Sequence, residues 1–306
     1  MKISLDIIIV NWNSDNYLRK CLNSIILCDC SNIELSIIVI DNCSTDQSLE
    51  KLPTSLNIQL IKNTQNIGFA AACNKALQLS SSKYILLLNP DTEVQKHTLQ
   101  QSILFMESNI DVATLGCRHV NKDGQTIPSC SRFPHLSNYI YKIFGLTTFF
   151  PNTFVAPTMM YNWDHENSAE VDQVMGAFML IRNQVLKQVG DMDERFFLYY
   201  EDLDLSYRIK RFGGKIYYNA DITIFHVGGG ISKNILAKRL AYSLHSRILY
   251  GFKYFSFINA ILLSILTLFI EPITRMLFTL LRGQVYDSKE IIKGYLYLYQ
   301  RMLEIN

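Results

Sequence analysis

The ten residues LDIIIVNWNS (5–14) decide the fold, because an apolar run passes directly into polar residues. Leu5–Val10 is rich in β-branched residues, as is typical of a strand buried on both faces in a parallel sheet. The polar residues from Asn11 to Ser14 then mark the carboxyl end of that strand. Open parallel sheets bind their ligands at this end, so the segment predicts both a strand and the edge of a site.

Apolar strands alternate with helical patterns along the first half of the chain. This order predicts an α/β fold with a mainly parallel central sheet, right-handed crossovers and flanking helices. The predicted strands are Leu5–Val10, Glu34–Ile40, Ile58–Ile61, Tyr84–Leu88 and Val112–Leu115. The predicted helices are Tyr17–Leu27, Phe69–Leu79 and Thr98–Ser108, and capping-box spacing at Ser44–Gln47 predicts a further short helix.

The pattern becomes less regular after residue 118. Asn121–Gly124 is a turn signal that predicts a hairpin, and residues 137–170 predict a long aromatic loop with some helix. Further elements are predicted at Val174–Ile181 (strand), Asn183–Val189 and Asp202–Phe212 (helices), and Lys215–Tyr218 and Ile222–His226 (strands). The pattern is helical from about residue 235. We therefore expect an α/β domain over 1–232 and a C-terminal helical segment over 233–306.

The charge balance and the cysteines exclude several classes of protein. A formal net charge of +2 without a run of Lys or Arg argues against nucleic-acid binding. The seven cysteines are odd in number and scattered, which predicts free thiols in a reducing cytosol. Asp6, Asn11 and Asn13 interrupt the apolar residues near the start, so we expect no signal peptide.

Polar residues directly follow four of the predicted strands. These places are Asn11–Ser14, Asp41–Ser44, Asn89–Thr92 and His226–Gly230. Turn formation and helix capping explain any one of them alone, since Asn, Asp and Ser favour both. Four such places after the strands of one sheet favour a ligand site instead.

These polar positions suit a nucleoside diphosphate. Trp12 offers a flat surface on which a base can stack, and Asp41 offers an acceptor for a base N–H. The sequence has no Gly-x-x-x-x-Gly-Lys loop to compensate a diphosphate, so a divalent cation is the remaining route. Asp91 and His226, with Asn89 nearby, are expected to hold Mn²⁺ or Mg²⁺ together with phosphate oxygens. The alternatives are a structural histidine at 226 and a plain turn at 91.

An acidic cluster formed by Glu201, Asp202 and Asp204 begins a predicted helix. The simplest role for such acids is to complement the positive end of the helix dipole. The cluster also directly follows the aromatic run Phe196–Tyr200, and an aromatic wall beside a carboxylate suits sugar binding. Desolvation in such a place raises the pKa of a carboxyl group. A carboxylate there can take the proton from an attacking hydroxyl.

Seven segments, in order along residues 5–232, match one protein family. They are IVNWNS (9–14), DNCSTD (41–46), NIGFAAACN (66–74), LLLNPDT (86–92), GAFMLIR (176–182), FFLYYEDLDL (196–205) and HVGGG (226–230). With these segments the chain resembles the family 2 glycosyltransferases, and in detail their rhamnosyltransferase-like branch. The resemblance implies the GT-A fold, which is Rossmann-like, and a divalent cation as cofactor.

The resemblance also implies roles for individual residues. Asn89-Pro90-Asp91 takes the place of the family's Asp-x-Asp metal motif, with Asn89 instead of the first acid and His226 as a further metal ligand. Asp202, in a pair with Glu201, lies where the family has its catalytic base. Cys73 stands where some relatives carry an Arg near the donor. The residues implied for nucleotide-sugar binding are Asn11, Trp12, Asn13, Asp41, Asn66, Gly68, Asn74, Asn89 and Gly176.

The implied function is transfer of a sugar, with inversion, from a nucleotide diphosphate to a glycan or lipid-linked acceptor in cell-surface polysaccharide synthesis. Rhamnose is the first expectation for the sugar, and a hexose is the second. A sugar nucleotidyltransferase is a competing class, but it usually has a Gly-rich basic loop after the first strand. A non-catalytic nucleotide- or glycan-binding partner of an assembly complex is another, against which the presence of Asp91, Asp202 and His226 argues.

The C-terminal segment carries an uncharged run, Tyr254–Ile270, between Lys253 and Glu271. The run is slightly short for a helix that spans a membrane. Basic residues on both sides favour a helix that lies in the membrane interface, which would place the protein at the cytoplasmic face of the cell membrane. The alternatives are a helical cap on the α/β domain or on a second subunit, and a single spanning helix. The basic residues are Lys238, Arg239, Arg247, Lys253, Arg275 and Arg282.

Overall fold

The structure is a computed structural model that describes residues 2–149, 158–228, 235–281 and 285–303. The boundary expected near residue 232 lies outside the described residues, as do Gly229, Gly230 and Arg282. Within the predicted loop at 137–170, the structure describes the residues before 150 and after 157.

A mixed sheet forms the centre of the protein. Its strand order is β3-β2-β1-β4-β11-β6-β12-β5, with β7 beside β6 and β9 beside β12, while β8 and β10 form a separate pair. The strands are β1 (Ile3–Asn11), β2 (Ile33–Asp41), β3 (Ile58–Lys62), β4 (Tyr84–Leu88), β5 (Thr92–Val94), β6 (Val112–Val120), β7 (Thr126–Ile127), β8 (Cys130–Ser131), β9 (Ala169–Glu170), β10 (Gln173–Val174), β11 (Phe178–Arg182) and β12 (Lys215–His226).

The first four strands of this sheet are parallel, as the alternation of strands and helices predicts. β11 runs antiparallel between β4 and β6, and β12 is again parallel to β6. The hairpin predicted around residue 122 is confirmed by the antiparallel pairing of β6 with β7. The α/β fold with a mainly parallel central sheet is therefore confirmed.

Helices cover both faces of the sheet. Ile7 points into a core shared with α1 and α3, whereas Ile8 points into the opposite core shared with α2, α6 and α7. Strands covered on both faces are continuously apolar for this reason. All seven cysteines are free. The helices are α1 (Tyr17–Ile26), α2 (Phe69–Leu77), α3 (Thr98–Ser108), α4 (Leu136–Ile143), α5 (Leu146–Phe149), α6 (Asn183–Val189), α7 (Glu201–Arg211), α8 (Leu236–Tyr254), α9 (Phe257–Ile265), α10 (Glu271–Leu281) and α11 (Val285–Leu303).

Three predictions of secondary structure are wrong in detail. Ser44–Gln47 opens no helix, and turns follow it instead, because the Ser44 hydroxyl donates to Asp41 rather than capping a helix. The strand predicted at Val174–Ile181 is divided into β10 and β11 by residues 175–177. The two short strands predicted between residues 215 and 226 are one strand, β12, which has a register shift between Asn219 and Thr223.

The helices after residue 235 pack against the α/β domain and against one another. The Tyr254 hydroxyl donates to Asp204 of α7 at 2.6 Å, which joins α8 to the domain. Phe257–Leu281 is one continuous helical stretch of 25 residues, long and apolar enough to cross a membrane by length and composition, with a mean hydropathy of 1.9 over an 18-residue window. It contains a π-helical turn, Leu266–Ile270, just before Pro272, whose missing N–H favours such a local widening.

Candidate active site

The carboxyl ends of β1 and β2 are joined through their side chains. Asn11 and Asp41 are paired in the sheet register and are both buried. Asn11 Nδ2 donates to Asp41 Oδ1 at 2.8 Å and to Ser48 Oγ at 2.9 Å, and Asn11 Oδ1 accepts from Ser14 Oγ. Because every polar atom of the Asn11 side chain is engaged, Asn11 holds Asp41 in place rather than facing outward.

The residues next to this pair form a tight turn. Asn13 has a φ of 47°, and its Oδ1 accepts from the Thr45 N–H at 2.7 Å. Asn and Asp tolerate this left-handed backbone better than most residues, since their side chains bond the local main chain. Trp12 lies between Asn11 and Asn13 and is partly exposed.

The loop before α2 approaches the aromatic run very closely. Gly68 has a φ of 89°, and a Cβ at this position would lie 2.6 Å from the carbonyl oxygen of Phe197. Only glycine fits both conditions. Asn66 Oδ1 accepts from the Gly68 N–H at 2.9 Å, and Asn42 Nδ2 donates to the Gly68 oxygen at 3.0 Å. The end of β2 and the aromatic run are thus held together around Gly68.

Asn74 lies on the inner side of α2, away from the strand ends. Its Nδ2 donates to the Met192 oxygen at 2.8 Å and to Glu194 at 2.9 Å, while its Oδ1 accepts from the Met192 N–H at 2.9 Å. Its amide nitrogen and its amide oxygen both hold the loop between α6 and the aromatic run. In this structure Asn74 supports the site without facing it.

Asp91 and His226 meet at the ends of β4 and β12. The His226 Nε2 lies 3.4 Å from Asp91 Oδ1, and both side chains are buried. The Val227 N–H donates to the Asp91 oxygen at 3.1 Å, which fixes the spacing of the two segments. In the part of the chain that the structure describes, no three His, Cys, Asp or Glu side chains gather into a group that could hold a metal ion.

This pair nonetheless fits a divalent cation that other ligands also coordinate. A carboxylate and an imidazole are suitable ligands for Mn²⁺. The buried Nδ1 of His226 makes no hydrogen bond among the described residues, so this nitrogen is not held by a structural partner there. The two predicted metal ligands are therefore brought together at the ends of their strands.

His119 on β6 is a neighbour that the sequence pattern does not reveal. Its ring packs edge-on against that of His226, with 5.2 Å between the centroids, and it is fully buried. Burial and the proximity of His226 lower the pKa of His119 well below its usual value, so it is a neutral imidazole. The sequence signal was weak, because the predicted strand ended at Leu115 and did not reach His119.

Asp202 lies at the first turn of α7, facing residues 175–177. Its Oδ2 accepts from the Gly176 N–H and from Gln173 Nε2, both at 3.1 Å, and its Oδ1 accepts from the Leu203 N–H at 2.8 Å. Removal from water raises the pKa of Asp202, although these hydrogen bonds oppose the shift. A carboxyl group with a raised pKa, still partly exposed, is suited to accept a proton.

Glu201, the other member of the acidic pair, is buried. Its Oε2 makes no hydrogen bond to the residues that the structure describes. Burial first, and the neighbouring Asp202 second, raise its pKa well above the usual range. Burial thus favours the neutral form of Glu201, whereas Asp202 is the more exposed member of the pair.

The backbone before α7 is strained. Tyr199 and Tyr200 have φ values of 67° and 71°, a region that bulky residues rarely enter. The C-terminal helices hold this segment, since Arg239 Nε donates to the Tyr199 hydroxyl at 2.9 Å and Ser246 Oγ donates to the Leu198 oxygen at 3.0 Å. Strain of this kind often accompanies functional sites, and here it directly precedes Asp202.

The Asp91–His226 pair and Asp202 are connected through the interruption between β10 and β11. The Asn89 N–H donates to the Ala177 oxygen at 3.0 Å, one residue from Gly176, which bonds Asp202. Asn89, Asp91, Gly176 and Asp202 therefore belong to one continuous edge of the sheet. The structure brings most predicted site residues to this edge, whereas the side chains of Asn11, Asn74 and Glu201 point inward.

Comparisons with known proteins agree with this architecture. Residues 6–164 match the family model for glycosyl transferase family 2. The chain is 25% identical over 211 residues to the low-salt glycan biosynthesis hexosyltransferase Agl10 of Haloferax volcanii. This match covers 68% of this chain and 62% of that protein. It is 24% identical over 240 residues to the N-acetylglucosaminyl-diphospho-decaprenol L-rhamnosyltransferase of Mycobacterium tuberculosis. This second match covers 72% of this chain and 75% of that protein.

The match thus spans less than two thirds of the length of the first relative. Among solved structures, the mannosyltransferase PcManGT from Pyrobaculum calidifontis, in complex with GDP-Man and Mn²⁺, has the same fold. Its TM-score is 0.57 at 12% identity, and the match covers 98% of this chain and 88% of that chain. The protein has the GT-A fold. It belongs to glycosyl transferase family 2, as the seven segments indicated.

Proposed function

We propose that this protein is an inverting glycosyltransferase that uses a nucleotide-diphosphate sugar and a divalent cation. The proposal rests mainly on one observation: the Asp91–His226 pair and Asp202 lie along one edge of the sheet. The pair supplies ligands for a cation on the diphosphate, and Asp202 supplies a base for the acceptor. Family membership supports the same reaction class.

Trp12 and Asp41 are proposed to bind the base of the nucleotide. The partly exposed indole of Trp12 offers a stacking face. Asp41 Oδ2 accepts one described hydrogen bond, from the Ser44 N–H at 3.1 Å, and so retains capacity for a base N–H. Asn11, Asn13 and Asn66 keep these groups in position through the contacts described above.

Asp91 and His226 are proposed to hold Mn²⁺ or Mg²⁺ against the diphosphate. Bound there, the cation would neutralise the charge that develops on the leaving nucleoside diphosphate. Asn89 is partly exposed beside this pair and can donate to a phosphate oxygen. His119 packs against His226 and limits the orientations open to its ring.

Asp202 is proposed to take the proton of the acceptor hydroxyl. The hydroxyl oxygen forms a bond to the anomeric carbon while the bond from that carbon to the diphosphate oxygen breaks on the opposite face, so the configuration inverts. Asp202 Oδ2 already accepts two hydrogen bonds and Oδ1 accepts one, so Oδ1 is the atom with capacity for the proton. Removing such a base usually slows a reaction by about 10²–10⁴-fold.

Rhamnose or a hexose is the proposed sugar, and a lipid-linked glycan is the proposed acceptor. The two relatives support this choice, since their names specify hexosyl transfer in glycan biosynthesis and rhamnosyl transfer to a decaprenol-linked sugar. The reaction would then belong to the synthesis of a cell-surface polysaccharide.

A lipid-linked acceptor requires the site to lie near a membrane, and the helical stretch Phe257–Leu281 supports peripheral membrane contact. Its two charged residues, Glu271 and Arg275, pair with each other at 2.7 Å, and Glu271 is buried. The outer face is largely apolar, and we call its exposed apolar residues the apolar stripe. Its exposed residues are Phe257, Ile258, Ile261, Leu262, Ile265, Phe269, Ile273, Leu277, Leu280 and Leu281.

The basic residues predicted to anchor this helix are mostly engaged within the protein. Arg247 and Arg275 pair with Glu271, Lys253 pairs with Asp193 and Asp204, and Arg239 bonds Tyr199. The proposed contact therefore relies on the apolar stripe, whose burial in the lipid interface is favourable, more than on charge. Cosedimentation of the protein with liposomes tests it.

The donor site is tested by the melting temperature of the purified protein with uridine, thymidine and guanosine diphosphates, each with and without Mn²⁺. A ligand that binds only the folded state, and is present at a concentration of 100 times its Kd, adds about 2.7 kcal/mol of stability. We expect stabilisation by one nucleotide, dependent on Mn²⁺, in the wild type and in the exposed control Asp123→Ala but not in Asp91→Ala. Equal stabilisation of Asp91→Ala would remove Asp91 from the site.

A further inference from the structure

Gln173 forms a side-chain link between the hairpin region and the proposed base. It lies on β10, opposite Ser131 of β8, and is buried. Its Nε2 donates to Asp202 Oδ2 at 3.1 Å, and its Oε1 accepts from the Ser131 hydroxyl. The main-chain N–H of Gly176 donates to the same carboxylate oxygen. Oδ2 of Asp202 therefore faces two donors at once.

The arrangement fixes which end of the Gln173 amide faces Asp202. If the amide were reversed, its Oε1 would face a carboxylate, and both groups accept hydrogen bonds but donate none. The Ser131 hydroxyl donates to Oε1 and so satisfies the end that points away from Asp202. Ser131, at 8% exposure, and Gln173, at 7%, are shielded from competing water.

We propose that Gln173 is a positioning residue for Asp202, with Ser131 fixing the orientation of its amide. The inference rests on the proposed role of Asp202 as the base. Gln173 and the Gly176 N–H together occupy Oδ2 and leave Oδ1 as the atom that meets the acceptor hydroxyl. A positioning effect of this kind acts on turnover, because Gln173 does not contact the nucleotide-binding residues through any hydrogen bond described in the structure.

The link also influences the protonation of the base. A donor to a carboxylate favours its ionised form, and only the ionised form accepts a proton. Burial raises the pKa of Asp202, and the Gln173 amide is one of the groups that oppose this rise. Without the amide, the pKa of Asp202 should rise further. The acidic limb of the pH–rate profile should then move to higher pH.

The variants that test this inference are Gln173→Leu, Ser131→Ala and Ser131→Thr. Gln173→Leu should lower kcat at neutral pH by about 10–100-fold, as expected for loss of a hydrogen bond to a charged group, while KM for the donor stays constant. Ser131→Ala should lower kcat in the same way but by a smaller factor. Ser131→Thr keeps the hydroxyl and should therefore retain the kcat of the wild type. Ser129→Ala is the matched control, because buried Ser129 bonds the Cys117 oxygen instead.

The titration of Asp202 separates this inference from the proposed function. In protein labelled with ¹³C at the aspartate carboxyl carbons, the Asp202 resonance is assigned by its loss in Asp202→Asn. The inference predicts that Gln173→Leu moves this titration to higher pH and that Ser129→Ala leaves it unchanged. An unchanged titration in Gln173→Leu would overturn the inference, whatever the activity. If the titration moves but the wild type transfers no sugar, the link to Asp202 stands and the proposed function fails.

Discussion

The α/β domain and the C-terminal helices differ in which side chains they bury and which they expose. In the α/β domain, the apolar residues of the strands are buried on both faces, and polar side chains gather where the strands end. In the C-terminal helices, Arg247 and Glu271 are buried together at 3% and 1% exposure, while a row of large apolar side chains faces outward.

This difference shows which surface each region offers. The strand ends of the α/β domain offer hydrogen-bonding groups and a carboxylate, which suit a small polar ligand. The apolar stripe is a row of apolar side chains that the described residues leave exposed, and such faces mark contacts with membranes or other proteins. A transferase with a lipid-linked acceptor needs both surfaces, one for the donor and one for the lipid.

The largest expected effect concerns the polar region. Asp202→Asn should reduce sugar transfer by about 100-fold or more, because the amide cannot accept the proton of the acceptor hydroxyl. Nucleotide binding should remain nearly intact, since Asp202 is bonded to Gly176 and Gln173 rather than to Asp41 or Asp91. Steady-state kinetics and nucleotide titration measure the two quantities. Equal turnover in this variant would exclude Asp202 from the mechanism.

The buried charges of the C-terminal helices should be the next most sensitive feature. Burial opposes ionisation of Glu271, but Arg247 and Arg275 outweigh it and lower the pKa of Glu271. Arg247→Met leaves buried Glu271 with Arg275 as its partner and leaves Oε2 without its hydrogen bond, which should cost about 1–3 kcal/mol of unfolding free energy in urea titrations. The surface pair of Lys83 and Glu107 is the control, and Lys83→Met should cost about 0–1 kcal/mol.

The apolar stripe should set membrane affinity. Ile258 is 77% exposed within the stripe, and burying such a side chain contributes about 1.5–3 kcal/mol. Ile258→Glu should therefore weaken liposome binding by about 10–100-fold in cosedimentation. Ile110 is 84% exposed in the turn that follows α3, and Ile110→Glu should leave liposome binding unchanged. Equal losses in the two variants would show that the stripe has no special role.

The smallest expected effect concerns Glu201 and the pH dependence of stability. Its pKa is raised in the folded state, so its contribution to stability is complete at low pH and is lost as the pH rises through the folded pKa. Glu201→Gln stays neutral and should flatten this part of the curve of melting temperature against pH. Exposed Glu50 provides the control, because Glu50→Gln should leave the curve unchanged.

The parts of the fold set by local pattern were predictable from the sequence. Tyr84–Leu88 and Thr98–Ser108 have the predicted bounds, since apolar periodicity and length define such elements. Ser44 shows where this reasoning fails, because a hydrogen bond to Asp41 replaces the capping role that its spacing suggests. The interruption at Gly176 was also missed, because the bond from its N–H to Asp202 depends on packing between distant segments.

Some residues of the candidate site were likewise predictable from the sequence, and others were not. Asn11, Asp41 and Asp91 were predictable because they directly follow apolar strands. His119 and Gln173 were not, since their contacts with His226 and Asp202 follow from strand register and helix packing. The inward orientation of Asn74 was equally hidden, because its partners lie on a loop more than a hundred residues away.

The most direct test of the central claim is anomalous diffraction from crystals grown with Mn²⁺ and the nucleoside diphosphate that stabilises the protein. The account predicts a manganese peak coordinated by Asp91 and His226, with diphosphate oxygens in the remaining positions and the base against Trp12. A nucleotide bound at the strand ends with the metal elsewhere, or bound without any metal, would contradict it.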